Sequence, residues 1–369
     1  MSTALLPERA SPSRKMLPQR KAAGRSPLWR NRVSTVVSLL TWANLAGVLG
    51  LFVLLCVVSE RWWFSAALTY LPRAPYAVPS LVCLAASIWL RPGILWANAV
   101  SLLLVVGPIM GLTRFSAPAS EARTPAGLRV VSCNIQNGYS SLPRLMFEIE
   151  RLDPDVLALQ ETQRCGEELR ELLADWQAVH VGEFWIGARG PVRFVAECWS
   201  DDFDRRTAIL CEVQTAAGSE LIASVHLNTV RHGLSDLRWH APVSGSGVPE
   251  FEEHQRRRAH EAAATRAWLD EQAASRPILI AGDFNTPTTS SLFVPHWSGL
   301  ASAFEEAGAG YGYTAPCNTH RLWPTNMPWV RIDHILCSGG WSVRACGIGR
   351  TDGSDHRLIW ADLRPAPRD

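Results

Sequence analysis

The chain has 369 residues, of which 47% are hydrophobic and 19% charged, a balance that excludes a disordered polymer and leaves room for two or three units at roughly 100–200 residues each. The formal net charge of +2 conceals an asymmetry: residues 1–32 carry eight Lys or Arg against Glu8 alone, whereas residues 118–369 carry 24 Arg, no Lys and 32 acids, a formal −8. An acidic soluble part lacks the overall basic footprint of a polyanion-gripping protein, so residues 1–32 read as a disordered cytoplasmic tail that sets topology, not as a nucleic-acid arm.

Residues 33–59 run 27 positions without a charge, enough to cross a hydrocarbon core of ~30 Å as a helix. The run is too long for a secretory h-region and has no cleavage site. Residues 61–70, with the pair Trp62 and Trp63, suit the membrane interface. A second apolar run, 76–90, begins among Pro72, Pro75 and Pro79, and a third, 94–112, closes on Arg114. Residues 33–115 are thus expected to form an anchor with about three transmembrane helices in the cell (inner) membrane. Basic residues before the first span place the tail in the cytoplasm. Three crossings then put the rest of the chain outside it, and two would put it inside if the middle run only dips into the bilayer.

Residues 116–127 are small, polar and Pro-containing, a linker. Beyond it, short β-branched runs predict strands at 128–133, 156–159, 194–199, 207–213, 221–225, 278–281, 332–337 and 357–363. Helices are predicted at 143–151, 164–176 and 251–272, the last with Ala259, Ala262, Ala263, Arg266 and Leu269 on one face. Strands interleaved with helices over residues 128–365 predict a layered α/β domain. Of nine Cys, seven lie in this part with no zinc spacing; they read as buried free thiols or as one disulfide among Cys317, Cys337 and Cys346.

Chemistry is concentrated where the apolar runs stop. LRVVSCN ends in Asn134, LALQE in Glu161, ASVHLN in His226 and Asn228, and LIAGDFN in Asp283 and Asn285, while RIDHIL carries Asp333 and His334 and SDH carries Asp355 and His356. Ligands of α/β folds gather at strand ends, so these endings imply one shared site. Glu161 with Asp283 or Asp355 is a hard oxygen set suited to Mg²⁺ completed by water and substrate phosphate. Asp283 can activate a water that Asn285 helps to hold, and His356 oriented by Asp333 can stabilise charge on phosphorus. His334, pointing to the opposite face, reads as a packed residue. Arg256–Arg258 read as a solvated helix face. His232, Trp239, His240 and the chain to Pro249 form an insertion beside His226.

The ordered set N-I-x-x-G, Q-E-T, H-L-N, G-D-F-N, I-D-H-I and S-D-H resembles the endonuclease/exonuclease/phosphatase superfamily over about residues 128–363. The resemblance implies a four-layer α/β/β/α sandwich and a membrane-anchored, Mg²⁺-dependent phosphoesterase, with Mn²⁺ as substitute. It implies Glu161, Asn134 and Asp355 at the metal, Asp283, Asn285, His226, Asp333 and His356 in catalysis, and Asn228 on the substrate. Gln136 departs from the pattern, standing where some nucleases carry a second metal-side Asp. Partners are then the membrane and a phosphate ester; nucleic acid is disfavoured and no obligate protein partner is evident. The alternatives are a nuclease acting on external DNA or RNA and a catalytically silent membrane scaffold.

Overall fold

The structure is a computed structural model that describes residues 28–365 apart from 118, 124–126, 217, 238–240, 318–323 and 351–352. The basic tail before Leu28, Trp239, His240 and part of the linker therefore lie outside the described residues.

The N-terminal helical segment, expected to be the anchor, begins with helix α1 (Leu28–Phe52), which continues through a π-helical turn, Val53–Val58. The short α2 (Trp63–Thr69), α3 (Ala77–Leu90) and α4 (Leu95–Leu104) follow. Two stretches, Trp29–Arg61 and Pro92–Ile109, are long and apolar enough to cross a membrane. The middle piece is a pair, Trp63–Thr69 and Ala74–Leu90, bent by 102°. With 14 residues, α3 is roughly 21 Å long, shorter than a ~30 Å core. Polar side chains stitch the helices together. Asn98 Nδ2 donates to Ser87 Oγ at 3.0 Å, Asn44 Nδ2 to Ser80 Oγ at 2.9 Å, and Arg91 Nε to Ser34 O at 3.4 Å.

The rest of the chain runs β1 (Leu128–Asn134), α5 (Leu142–Leu152), β2 (Val156–Gln160), α6 (Gly166–Leu172), β3 (Gln177–Val181), β4 (Phe184–Ala188), β5 (Val192–Ser200), β6 (Arg205–Thr215) and β7 (Gly218–His226). It continues through α7 (Arg231–Asp236), α8 (Ala241–Ser244), α9 (Val248–Ala273), β8 (Ile278–Asp283), α10 (Val294–Trp297), β9 (Ala301–Ser302), α11 (Ala303–Ala307), β10 (Asp333–Cys337), β11 (Trp341–Ile348) and β12 (Ile359–Pro365). Two six-stranded sheets form, in the orders β11-β12-β1-β2-β4-β3 and β5-β6-β7-β8-β10-β9. Because side chains alternate across a strand, each inner strand feeds two cores. Val130, Ile186, Ile209, Ile222, Leu279 and Ile335 fill the space between the sheets. Val131 and Cys133 turn outward onto Leu145 and Ile149 of α5, and Leu210, Ala223 and Ile280 turn onto Ala262 and Leu269 of α9. The result is the expected α/β/β/α sandwich.

Several sequence expectations need correction. Strands β3, β4 and β11 were not predicted. β4 is a five-residue, wholly buried run without alternation, and the register of β11 slips between Val343 and Ala345. The helix predicted at 164–176 spans only Gly166–Leu172. The buried stripe of α9 keeps Ala262 and Leu269 of the predicted face but otherwise consists of Phe251, Gln255, Arg258, Glu261, Thr265 and Ala273, so Arg258 is not solvated. Cys317, Cys337 and Cys346 are buried free thiols with no disulfide.

Candidate active site

The site grows from the neighbours of β8. In register, His226 at the end of β7 and Asp333 at the start of β10 both lie opposite Asp283. Three ionisable side chains from three adjacent strands therefore meet at one sheet end. Gly282 makes this possible: its φ is +152°, and a Cβ there would sit 1.9 Å from Val225 O, so only glycine lets β8 approach β7 this closely. The other sheet brings Asn134 from the end of β1 beside Gln160, the last residue of β2. Glu161 follows in a left-handed conformation, φ 55°.

Asn134 joins the two sheets. Its Nδ2 donates to Glu161 Oε1 at 2.8 Å and to Asp283 Oδ2 at 3.1 Å. Asn285 closes over Asp283: its backbone N–H donates to Oδ1 at 2.8 Å, and its Nδ2 donates to Leu227 O at 2.8 Å and to Asp283 Oδ2 at 3.2 Å. Two imidazoles face the same carboxylate, each held from behind by another. His356 Nδ1 lies 2.8 Å from Asp333 Oδ2, leaving Nε2 3.8 Å from Asp283 Oδ2. His226 Nδ1 lies 3.3 Å from Glu183 Oε2, leaving Nε2 3.7 Å from Asp283 and 3.8 Å from Glu161.

Electrostatics follow from burial and pairing. Burial works against a charged His356, but Asp333 first and Asp283 next overcome it and push the imidazole up to about 10. His226 is likewise raised: burial opposes its charge, and Glu183 together with Asp283 more than offsets burial and Arg205. Burial favours the neutral Glu183 carboxyl, yet His226 and Arg205 bring it down to about 2. Burial raises Asp283, and the two imidazoles oppose the rise. His356 thus carries its proton at neutral pH, His226 is shifted in the same direction, and Asp283 gains basicity, a division of roles typical of acid–base sites.

Eight of the nine residues singled out in the sequence line one cavity of about 290 Å³; Asp333 stands behind His356. Asn228 donates its N–H to Glu261 Oε2 at 2.6 Å, while its buried Oδ1 has no partner among the described residues. Asp355 Oδ2 lies 3.7 Å from Arg231 Nη2. His334 is packed as expected, ringed by Phe284 and Phe293 with Nε2 2.9 Å from Thr286 O.

Sequence reasoning missed three contributors. Glu183 lies in the turn between β3 and β4 and orients His226. Arg205 Nη2 lies 2.5 Å from Glu183 Oε1. Arg258 donates to Asn228 O at 2.9 Å and Asn285 O at 2.8 Å, pinning the backbone of two cleft residues. None of the three stands in a recognisable motif; for Arg258, the spacing from Phe251 and Gln255 was the available signal.

Among the described residues, Asp283, Asp333 and His356 bring one ligand atom each within 4.8 Å of one another. The proton shared between His356 and Asp333 makes this group a hydrogen-bonded acid–imidazole unit, not a cage. The pair Glu161 and Asp283, bridged by one amide, suits a hard cation better. Glu161 is 30% exposed toward the cleft, which leaves room for the waters Mg²⁺ retains.

A sequence model of the Endonuclease/Exonuclease/phosphatase family matches residues 131–356. No curated protein matches the chain. Similar solved structures include an endonuclease/exonuclease/phosphatase from Beutenbergia cavernae, at 19% identity over 65% of this chain and 72% of that one, TM-score 0.44. The human Nocturnin catalytic domain with bound sulfate is similar at 17% identity over 66% and 96%, TM-score 0.47. A mannosyl-6-phosphatase of Bacteroides thetaiotaomicron is similar at 16% identity over 64% and 99%, TM-score 0.46. The chain belongs to the endonuclease/exonuclease/phosphatase family, whose enzymes hydrolyse phosphate esters or nucleic acids and generally depend on a divalent metal.

Proposed function

We propose that this chain is a membrane-anchored, Mg²⁺-dependent phosphoesterase with its catalytic domain, residues 128–365, outside the cytoplasm. The observation that carries the chemistry is the pair of imidazoles, each backed by a buried carboxylate and both facing Asp283. Glu161, supported by Asn134, would hold the metal, and Asp355 would stand at the metal or phosphate edge. A bound divalent ion supplies charge neutralisation at the phosphoryl oxygens. Asp283 Oδ2 takes the proton of the attacking water, which Asn285 orients. His356, kept cationic by Asp333, donates to a phosphoryl oxygen as negative charge builds. His226, aligned by Glu183, donates to a second one.

The sidedness rests on how the anchor meets the domain. At the end of the first apolar stretch, Glu60 Oε1 accepts from Ser290 Oγ at 2.6 Å. At the end of the third, Val106 O and Met110 O accept from Tyr311 and Tyr313 hydroxyls at 3.1 and 2.6 Å. Both stretches finish against the catalytic domain, while Ser34 and Arg91 meet at the opposite end. With the basic tail held inside by its charge, the domain lies outside.

The test is hydrolysis by the full-length protein in detergent of a chromogenic phosphodiester, a phosphomonoester, single- and double-stranded DNA and phospholipid vesicles, with Mg²⁺ or EDTA. Mg²⁺-dependent turnover lost in Asp283→Asn is expected. Turnover equal in EDTA, or retained by the variant, overturns the assignment.

A further inference from the structure

The catalytic cavity does not end at the phosphate chemistry. Gln136, Thr229, Arg231, Asn285 and Asp355 also line a second cavity of about 550 Å³. One wall of this chamber is Tyr70, Leu71 and Pro72, the link between α2 and α3 of the anchor. Opposite stand Val230 and Leu234, with Trp329, Val330 and Ile332 closing it. The chamber is mostly apolar, opens directly on the site and is partly built from the membrane segment.

Its shape is fixed by bonds between anchor and domain. Tyr70 OH lies 3.4 Å from Asn285 O and 3.3 Å from both Arg258 Nη atoms. Trp329 Nε1 donates to Tyr70 O at 2.9 Å. Ala66 of α2 is buried against Val230 and Phe251. A sugar or nucleotide ester gains nothing from an apolar wall beside its phosphate. An ester whose phosphate carries a hydrocarbon chain fills both compartments, and the membrane interface, where Trp62 and Trp63 belong, is where such molecules are presented.

We infer that the substrate is a membrane lipid phosphate ester, its phosphate beside Asp283 and its chain between residues 70–72 and 329–332. This rests on the phosphoesterase reading. Water oxygen bonds to phosphorus, its proton passes to Asp283, and the ester P–O bond breaks with the electron pair leaving on the alcohol oxygen, which is protonated by solvent.

The experiment uses the full-length protein in phosphate-free maltoside micelles with Mg²⁺. A dodecyl phosphate with a terminal diazirine is photo-crosslinked and the label mapped by mass spectrometry. Label is expected on the peptides holding residues 70–72, 229–234 and 329–332, displaced by unlabelled dodecyl phosphate and not by dodecanol or inorganic phosphate. Dioctanoyl phosphatidic acid and farnesyl phosphate as competitors distinguish a glycerolipid from a polyprenyl source, and failure of both overturns the inference. In parallel, kcat/KM is compared for dodecyl and methyl p-nitrophenyl phosphate. At about fourfold per buried methylene, burying even four gives a ratio on the order of 10². Leu71→Asp, at a half-exposed loop position, is expected to cut that ratio at least about tenfold. Label confined to the outer faces of α1, α3 and α4, or a ratio unchanged in Leu71→Asp, overturns the lipid inference while methyl-ester hydrolysis leaves the phosphoesterase reading standing. Label in the chamber without hydrolysis of either ester overturns the phosphoesterase reading, and the substrate assignment with it.

Discussion

Asp333 touches no substrate in the proposed chemistry, so replacing it tests whether His356 works through its cation. Asp333→Asn keeps the shape of the side chain and removes its charge 2.8 Å from Nδ1. The rise of His356 from 6.5 to about 10 corresponds to roughly 5 kcal/mol in favour of the imidazolium. That sum is what remains after burial has been overcome, and Asp333 is the largest contributor, with Asp283 and Asp355 behind it. Assigning Asp333 about half gives ~2–3 kcal/mol, or a loss of about 10² in kcat if the cation is used fully in the transition state. KM should stay within about threefold. The assay is Mg²⁺-dependent hydrolysis of a chromogenic phosphodiester by the full-length protein, with His356→Ala and the double variant completing a cycle. If Asp333 acts through His356, the double variant is no slower than His356→Ala alone. Additive losses, or a drop in Asp333→Asn below about fivefold, would refute the reasoning.

Other consequences can be read directly. Glu183→Gln should lower kcat roughly 10–100-fold by freeing His226, and kinetics matching wild type would remove Glu183 from the site. Gly282→Ala drives a Cβ to 1.9 Å from Val225 O and should cost at least about 3 kcal/mol; a melting temperature within about 3 °C of wild type would contradict it. His334 gives a stability–pH slope: burial first and Arg331 next hold its folded ring neutral down to about 3, while the unfolded ring protonates near 6.5. The unfolded state therefore binds the extra proton between these values, so this stabilisation is complete above 6.5 and declines by about 1.4 kcal/mol per pH unit as pH falls toward 3. Denaturant titrations of His334→Gln should show a shallower slope across pH 4–6.5, and an unchanged slope would refute the assignment.

Much of the candidate site was legible because the residues proposed to do chemistry sit at ends of strands that are themselves apolar and short. β1, β2, β7 and β8 each announce a boundary with a polar residue, and the boundary is the proposed functional position. The supporting groups were not legible, for a physical reason. Glu183 meets His226 across 43 positions in the chain and between two different sheets, and nothing local in its turn distinguishes it from a solvated acid. Arg258 was misread because three consecutive arginines look like surface. The helix in fact turns Gln255, Arg258, Glu261 and Thr265 inward, a polar stripe that alanine spacing disguised. β11 escaped notice because its bulge at Val343/Ala345 breaks the alternation on which strand prediction depends.

The same polar stripe explains why the N-terminal helices cannot be treated as a tether. Arg258 is only 3% exposed, and a buried guanidinium must satisfy its donors; it does so on Asn228 O, Asn285 O and Gln255 Oε1, with the Tyr70 hydroxyl of the N-terminal segment beside it. Asn285 in turn holds Asp283. A chain of contacts therefore runs from the N-terminal helices through Tyr70 and Arg258 to the proposed general base. Removing residues before the linker would uncover Val230 and Phe251, open one wall of the apolar chamber and leave Arg258 facing water. Such a fragment would keep the two imidazoles and lose the surface that holds their neighbour in place. Its activity on soluble esters would report the chemistry alone, and only the intact chain reports the site.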